Sequence, residues 1–340
     1  MVDNELDSRL RGNDKVSLNA KELDTIYPWQ GSDYKHLISL GINLPHALIL
    51  HSAKNLGVET LANIWIRYLL CSNQDNGYAC GHCNSCVLLL DQNHPDLYLL
   101  KNNDEEEQKQ ITVAAIRNVV EFLAVGPHLG RKKIILIEDS SRLNLNSSNA
   151  LLKILEEPPQ YALFIILSNN LGGVLPTIKS RCMKYHITKP DFVTARDYHA
   201  KSDIPDLLFW LKFYDNCPLF DLVIDEHQLK QIIATLANPS IDNIYTATMD
   251  FDGKKVDFGV TLNFLNKWIC DLIRFKLSNK LDYFENYHNN IIKLMDKIVI
   301  EKAFYLLDQI NFFMRWENHP LNYKLQIENL FFKYQQVFVK

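Results

Sequence analysis

At 340 residues, 47% of them hydrophobic, the chain is long enough for two or three buried cores, and its net charge of −4 leaves no overall basic footprint. That charge excludes a protein that holds nucleic acid by bulk electrostatics alone, and it puts protein partners first. No apolar run approaches the roughly 18 to 20 residues that span a bilayer, and residues 1–24 lack a secretory apolar core, so a cytosolic protein with no membrane attachment is expected.

Residues 1–25 are polar, charged and without periodicity, and are expected to form a disordered or loosely attached leader. From Pro45 to His186, short β-rich runs alternate with helical stretches, which predicts a parallel sheet covered by helices, an α/β domain. The predicted strands are "ALIL" (47–50), "DLYLL" (96–100), "KIILI" (133–137), "LFIIL" (163–167) and "KYHI" (184–187). The polar run at 101–110 reads as a solvated loop. After Pro190 the β pattern fades into a small helical unit broken at Cys217 and Pro218. From about residue 225 the chain reads as helical, and Ile327, Leu330, Phe331, Tyr334 and Val337 form a stripe that is either core or a helix interface.

The stretch "HSAKNLGVET" follows the first strand and opens a helix, where a phosphate-binding loop would stand. Such a loop needs two glycines, a lysine for the β and γ oxygens and a hydroxyl for magnesium. The matching positions are Ser52, Gly57, Val58 and Glu59. Valine offers no charge or donor, and glutamate sets a carboxylate beside a triphosphate, so no functional ATP binding is expected. A plain strand-to-helix loop explains the same residues, and Lys54 precedes the helix start. At the end of "KIILIEDS", Asp139 stands where a metal-binding carboxylate would, yet Ser140 follows it in place of a catalytic acid.

Cys71, Cys80, Cys83 and Cys86 are spaced Cys-x8-Cys-x2-Cys-x2-Cys. Two-residue gaps turn successive thiolates toward one ion, and four sulfurs close a tetrahedral structural zinc site. An iron-sulfur cluster is the alternative for four cysteines. His82, between the ligands, reads as a loop residue, and Cys182, Cys217 and Cys270 read as isolated buried or half-buried thiols. Downstream, "NSSNALLKILEEPP" predicts an amphipathic helix stopped by Pro158 and Pro159, and "LFIILSNN" a buried strand with a polar end. "LPTIKSRC" (175–182) reads as a short polar turn that carries Arg181, by itself a surface cation.

In this order, "YPWQ" at Tyr27 to Gln30, the degenerate loop, the four-cysteine run after the first helix, "NALLKILEEPP", "SNN" and "SRC" resemble the delta-prime subunits of the bacterial DNA polymerase III clamp loader, within the AAA+ clamp-loader family. The resemblance runs from about residue 26 to 340 and is densest from His46 to Cys182; in the helical end "HPLNYKLQIENLFFKY" (319–334) matches best. It implies an AAA+ nucleotide-binding-like domain (26–189) with a zinc module (71–86), a helical lid (190–224) and an all-α collar (225–340). It implies a subunit that does not hydrolyse ATP and that assembles with motor (gamma/tau) and delta subunits. The sliding clamp and primed DNA would be reached through that complex. Arg181 would be an arginine finger acting in trans, with Ser180 supporting its turn.

Two other classes of function stay open on the residues. An autonomous ATPase would use Lys54 and Asp139 and would bind ATP-Mg as an isolated chain. A zinc-dependent nucleic-acid module would show salt-sensitive DNA affinity that is lost on chelation.

Overall fold

A computed structural model describes residues 25–100, 110–220, 226–249, 258–315 and 322–338. The leader and nearly all of the polar run at 101–110 lie outside the described residues. Among those described, two compact units form. A sheet unit takes in the residues up to Asp203 together with Asn216–Leu219, and a helical unit takes in Ile204–Asp215 and the chain from Phe220 onward. Both units thus draw on the segment 190–224.

In the sheet unit a 3-10 turn, Pro28–Gln30, leads into α1 (Gly31–Ser39), β1 (Ala47–His51), α2 (Val58–Leu70), α3 (Asn84–Leu90), β2 (Leu97–Leu100), α4 (Val113–Leu123) and β3 (Lys133–Ile137). There follow α5 (Leu145–Glu156), β4 (Ala162–Ser168), α6 (Pro176–Arg181), β5 (Met183–His186) and α7 (Phe192–Tyr198). The sheet order is β2-β3-β4-β1-β5, and every pairing is parallel. All five predicted strands are present, β3 with its predicted bounds and the others with ends shifted by a residue.

The apolar runs are continuous because helices bury both faces of the sheet. On one face Leu48, Leu50, Ile134, Leu136, Leu163 and Ile165 pack with Tyr34 and Leu37 of α1 and Leu61 and Trp65 of α2. On the other, Ala47, Ile49, Ile135, Ile137, Phe164 and Ile166 meet Ile116 and Val119 of α4, Leu151 and Leu155 of α5 and Ile178 of α6. Each such aliphatic side chain contributes roughly 1.5 to 3 kcal/mol by leaving water, which makes this three-layer sandwich the rigid part of the unit.

The helical unit holds α8 (Leu207–Phe213), α9 (Glu226–Ala237), α10 (Ile241–Met249), α11 (Phe258–Ser278), α12 (His288–Met295), α13 (Ile300–Arg315) and α14 (Tyr323–Gln336). Helix α11 is its spine: Leu262, Leu265, Trp268, Ile269 and Leu272 are buried, and α9, α12, α13 and α14 all pack on it. The stripe Ile327, Leu330, Phe331, Tyr334 and Val337 is core within the chain itself. Tyr334 fixes its depth, taking the Trp268 indole N–H at 2.8 Å and donating its own hydroxyl to the Leu236 carbonyl at 2.6 Å. No helix among the described residues is long and apolar enough to cross a membrane.

One buried carboxylate closes a loop in each unit. Asp271 accepts the backbone N–H groups of Asp282, Tyr283 and Phe284, and burial, outweighing those bonds, leaves its carboxyl above the usual range. Asp96, at the start of β2, accepts those of His128, Leu129 and Gly130 at 2.7 to 3.0 Å. Burial pushes the Asp96 carboxyl up, but the three donors outweigh it and hold the group below the usual carboxylate range. A carboxyl depressed in the folded state contributes stability that is present above its unfolded pKa and lost as pH falls through the folded one. Asp96→Ala, which strands three donors, is expected to destabilise the sheet unit by about 3 kcal/mol in denaturant unfolding at neutral pH, and the difference from wild type should shrink as the acid limb is entered.

Candidate functional site

The carboxyl ends of β1, β3 and β4 lie side by side, so the loops that follow them share one rim of the sheet. After β1 the chain turns through Asn55 and Gly57, both left-handed with φ of 66° and 71°, and enters α2 at Val58. At the two positions where a phosphate loop has lysine and a hydroxyl, this turn has Val58 and Glu59. Val58 is buried in the core, so the side chain at the lysine position points inward. Burial and, after it, the neighbouring carboxylates Glu138 and Asp139 push the Glu59 carboxyl above its usual range, so the hydroxyl position carries an acid crowded by other acids.

Ser52 and Asp139 on this rim are already engaged, whereas the buried Ser168 hydroxyl at the end of β4 has no hydrogen-bond partner among the described residues. Ser52 is fully buried; its N–H donates to the Ser168 carbonyl at 3.1 Å and its hydroxyl to Asn169 Oδ1 at 3.3 Å, tying the loop to the end of β4. Asp139 accepts the Ser141 N–H at 2.9 Å and pairs with Arg142 Nε at 3.3 Å, capping the 3-10 turn Ser140–Arg142. Lys54 is exposed.

The outer side of the loop is filled by aromatic rings. Tyr27 and Trp29 stack with centroids 4.9 Å apart, and Tyr198 at the end of α7 stands edge-on to both. Trp29 Nε1 donates to the Leu56 carbonyl at 3.1 Å, and Gln30 Nε2 donates to the carbonyls of Leu56 and Gly57 at 2.8 and 2.7 Å. A Cβ at Gly57 would stand 2.8 Å from Tyr27 Cδ2 and 2.9 Å from Leu219 Cδ1, so glycine is required both by φ and by this close approach. "YPWQ" is therefore the support of the loop, a role that the sequence left unassigned. Its third ring, Tyr198, is too distant along the chain to be associated with it by pattern.

The four cysteines converge between α2 and α3. Cys71 caps the end of α2, and Cys86 lies inside α3, one turn after Cys83 at its N-cap. Their sulfurs all lie within 4.8 Å of one another, with Cys71 to Cys80 at 3.6 Å and Cys71 to Cys83 at 3.9 Å. Four sulfurs bound at about 2.3 Å around one tetrahedral ion stand about 3.8 Å apart, whereas a disulfide would draw two of them to about 2.05 Å. The donor set therefore fits a metal ion. The Cys80 N–H points at Cys71 Sγ (3.3 Å) and the Cys86 N–H at Cys83 Sγ (3.5 Å). Burial raises the thiols of Cys71 and Cys86; at Cys83 burial is outweighed by the N–H groups of Cys86 and Ser72 and by the thiols of Cys86 and Cys80, which bring it down to about 6.

A buried relay anchors this group to the sheet. The Ser85 hydroxyl donates to the Leu70 carbonyl at 2.6 Å and meets His94 Nε2 at 2.5 Å, while His94 Nδ1 accepts the Asp96 N–H at 3.0 Å. Those bonds assign the ring proton to Nε2, and burial holds the His94 ring neutral by lowering its pKa. Neither Ser85 nor His94 was singled out in the sequence, where they are single polar residues among cysteines and leucines. His82 is exposed and bonded to the Cys80 carbonyl, outside the sulfur cluster. Cys182 and Cys217 are buried and Cys270 is half-buried.

Arg181 corrects one expectation. "LPTIKSRC" is not a polar turn but the helix α6, which Pro176 opens and buried Ile178 fastens to the core, with Lys179 Nζ reaching back to the Leu171 carbonyl at 2.9 Å. Arg181 is its last residue. Cys182 beside it is buried, its thiol pushed up to about 11 by that burial, so it anchors the chain while the guanidinium stays about one-third exposed. Arg181 Nη1 donates to the Thr177 carbonyl at 3.1 Å and to Ser180 Oγ at 3.4 Å, and Nη2 to Glu156 Oε1 at 2.5 Å. The Ser180 hydroxyl itself donates to the Thr177 carbonyl.

Residues 38–191 match the family model described as DNA polymerase III, delta subunit. A DNA polymerase III subunit delta' of Pseudomonas aeruginosa is 35% identical over 181 residues, 53% of this chain and 54% of that protein. Its counterpart in Escherichia coli is 33% identical over 166 residues, 48% of this chain and 49% of that protein. A tau/gamma subunit of the same polymerase from Haemophilus influenzae is 29% identical over 44% of this chain and 21% of that protein. The chain thus spans about half the length of the delta' relatives it matches. Residues 38–191, which hold the loop, the cysteines and Arg181, are the part that matches that family model, and about half of the chain is similar to DNA polymerase III delta-prime subunits.

Proposed function

We propose that the chain is a clamp-loader subunit of the replicative polymerase that does not hydrolyse ATP itself and acts on the ATP site of a neighbouring subunit. The observation that carries this reading is the charge of the loop: a left-handed turn leads from β1 into α2, and valine and a crowded glutamate stand where a phosphate loop has lysine and hydroxyl. A triphosphate there would meet Glu59, Glu138 and Asp139 with no cation supplied from the loop's lysine position. The retained shape supports the fold and a subunit boundary, and chemistry is left to the partner.

In this reading Arg181 is the group lent across that boundary. A guanidinium that reaches a γ-phosphate spreads the charge developing on the transferring oxygens and can be worth roughly 10³ to 10⁵ in rate. Ser180 supports it through the Thr177 carbonyl. Residues 26–189 would form the AAA+ body, 190–224 the lid and 225–340 the collar that joins motor and delta subunits. The sliding clamp and primed DNA would be met through the complex, in the cytoplasm. Zinc is the ion the four thiols would hold, closed to substrate and serving to fold the insertion.

Two measurements test these assignments. Cys83→Ser is expected to lose stoichiometric zinc by elemental analysis and to unfold several degrees lower; retention of wild-type stability and assembly without metal would remove the structural role of zinc. In a complex reconstituted with motor, delta and clamp subunits, Arg181→Ala is expected to cut DNA-stimulated ATPase by at least about tenfold, with assembly unchanged by size exclusion. Unchanged turnover would return Arg181 to a surface cation, and turnover by the isolated chain would favour the autonomous ATPase.

A further inference from the structure

Arg181 does not stand alone at the end of α6. Its partner Glu156 is the last residue of α5, and the two helices pack against each other through Leu151, Leu155 and Ile178. The carboxylate takes Nη2 while Thr177 and Ser180 take Nη1, so two of the three guanidinium nitrogens are fixed from two different elements. A guanidinium carries five N–H donors in one plane. Three contacts engage it here, and the side chain stays about one-third exposed, so donors remain on a plane that is already set.

We infer that Glu156 is a positioning residue for Arg181: its carboxylate holds the guanidinium at the end of α6 with its remaining donors presented to an anionic acceptor on a neighbouring subunit. The inference rests on the reading of Arg181 as a group acting in trans and adds a second residue to it. Two helix ends clamped on one buried core fix where the charge begins its reach, and Thr177 and Ser180 alone would leave the Nη2 side free to swing. The pair is half exposed, at 34% for Arg181 and 50% for Glu156, so it belongs to the class of surface ion pairs that yield readily to a stronger acceptor. A triphosphate can therefore take over the guanidinium at little cost, while orientation has been set beforehand.

The test uses the reconstituted complex and its DNA-stimulated ATPase. Glu156→Ala is expected to lower kcat by about three- to tenfold with KM for ATP unchanged, because the loss is in placement of a transition-state group. Glu156→Gln, which keeps an oxygen acceptor of the same length, is expected to fall between it and wild type. Glu156→Ala combined with Arg181→Ala should be no slower than Arg181→Ala alone, since a residue that acts only through Arg181 has nothing left to position. If Glu156→Ala keeps full kcat while Arg181→Ala loses turnover, or if the two losses multiply, the positioning role falls and the finger stands. If Arg181→Ala itself leaves turnover unchanged, both fall. Size exclusion of each complex separates these outcomes from failed assembly, and Glu156→Gln gives the readout should the alanine variant not assemble.

Discussion

A parallel sheet buried on both faces leaves almost no place for polar chemistry except the carboxyl ends of its strands, and this constraint organises the sheet unit. The side chains of β1, β3 and β4 are apolar throughout, apart from Lys133 and the terminal His51 and Ser168. Every group of interest therefore sits on a connection: Ser52 to Glu59 after β1, Asp139 after β3, Asn169 after β4. Arg181 and the cysteines also sit on connections, on helices and insertions that the sheet holds at fixed points, Arg181 just before β5 at the amino end of the strands. Asp96 and His94 extend that hold to the cysteine group, because the residue that pins the turn at His128 to Gly130 also donates its N–H to the ring that meets Ser85.

The loop after β1 is held in shape by the chain's own side chains. Its left-handed Gly57 is demanded by Tyr27 and Leu219 packed against it, and its carbonyls are bonded by Trp29 and Gln30. Nothing in that support depends on a nucleotide. Once the shape is fixed by the chain's own side chains, a lysine and a hydroxyl are no longer needed for folding, and Val58 can serve the core instead. On the proposed reading, such a loop suits a subunit that contributes to its neighbour's site.

Much of this was legible in the sequence because it depends on local pattern. The five strands are continuous apolar runs, the four cysteines have metal spacing, and the missing lysine is a plain absence at a defined position. What was not legible depends on contacts across the chain. Tyr198 joins Tyr27 and Trp29 only when α7 folds back, and Ser85 meets His94 across the turn after α3. Glu156 is one of two adjacent glutamates before two prolines, and only the packing of α5 on α6 turns it toward Arg181. The turn expected at 175–182 is helical because Ile178 finds a place in the core, which a six-residue segment does not announce.

The two classes of polar group in the sheet unit differ in the strength of their hold, and on the proposed reading the difference matches the role of each. Asp96 and His94 are buried, bonded to backbone, and expensive to disturb. Arg181 is anchored through buried Cys182 on one side and through an exposed carboxylate on the other. A group meant to act on another molecule has to be oriented firmly and released easily. Burying the guanidinium would have met the first demand and defeated the second, because a desolvated ion pair resists exchange for an outside anion. Leaving it unpaired would have done the reverse, at the cost of its rotamer freedom on every encounter. A half-exposed pair at the junction of two packed helices satisfies both, and on the proposed reading that balance is what a residue working in a neighbour's site requires.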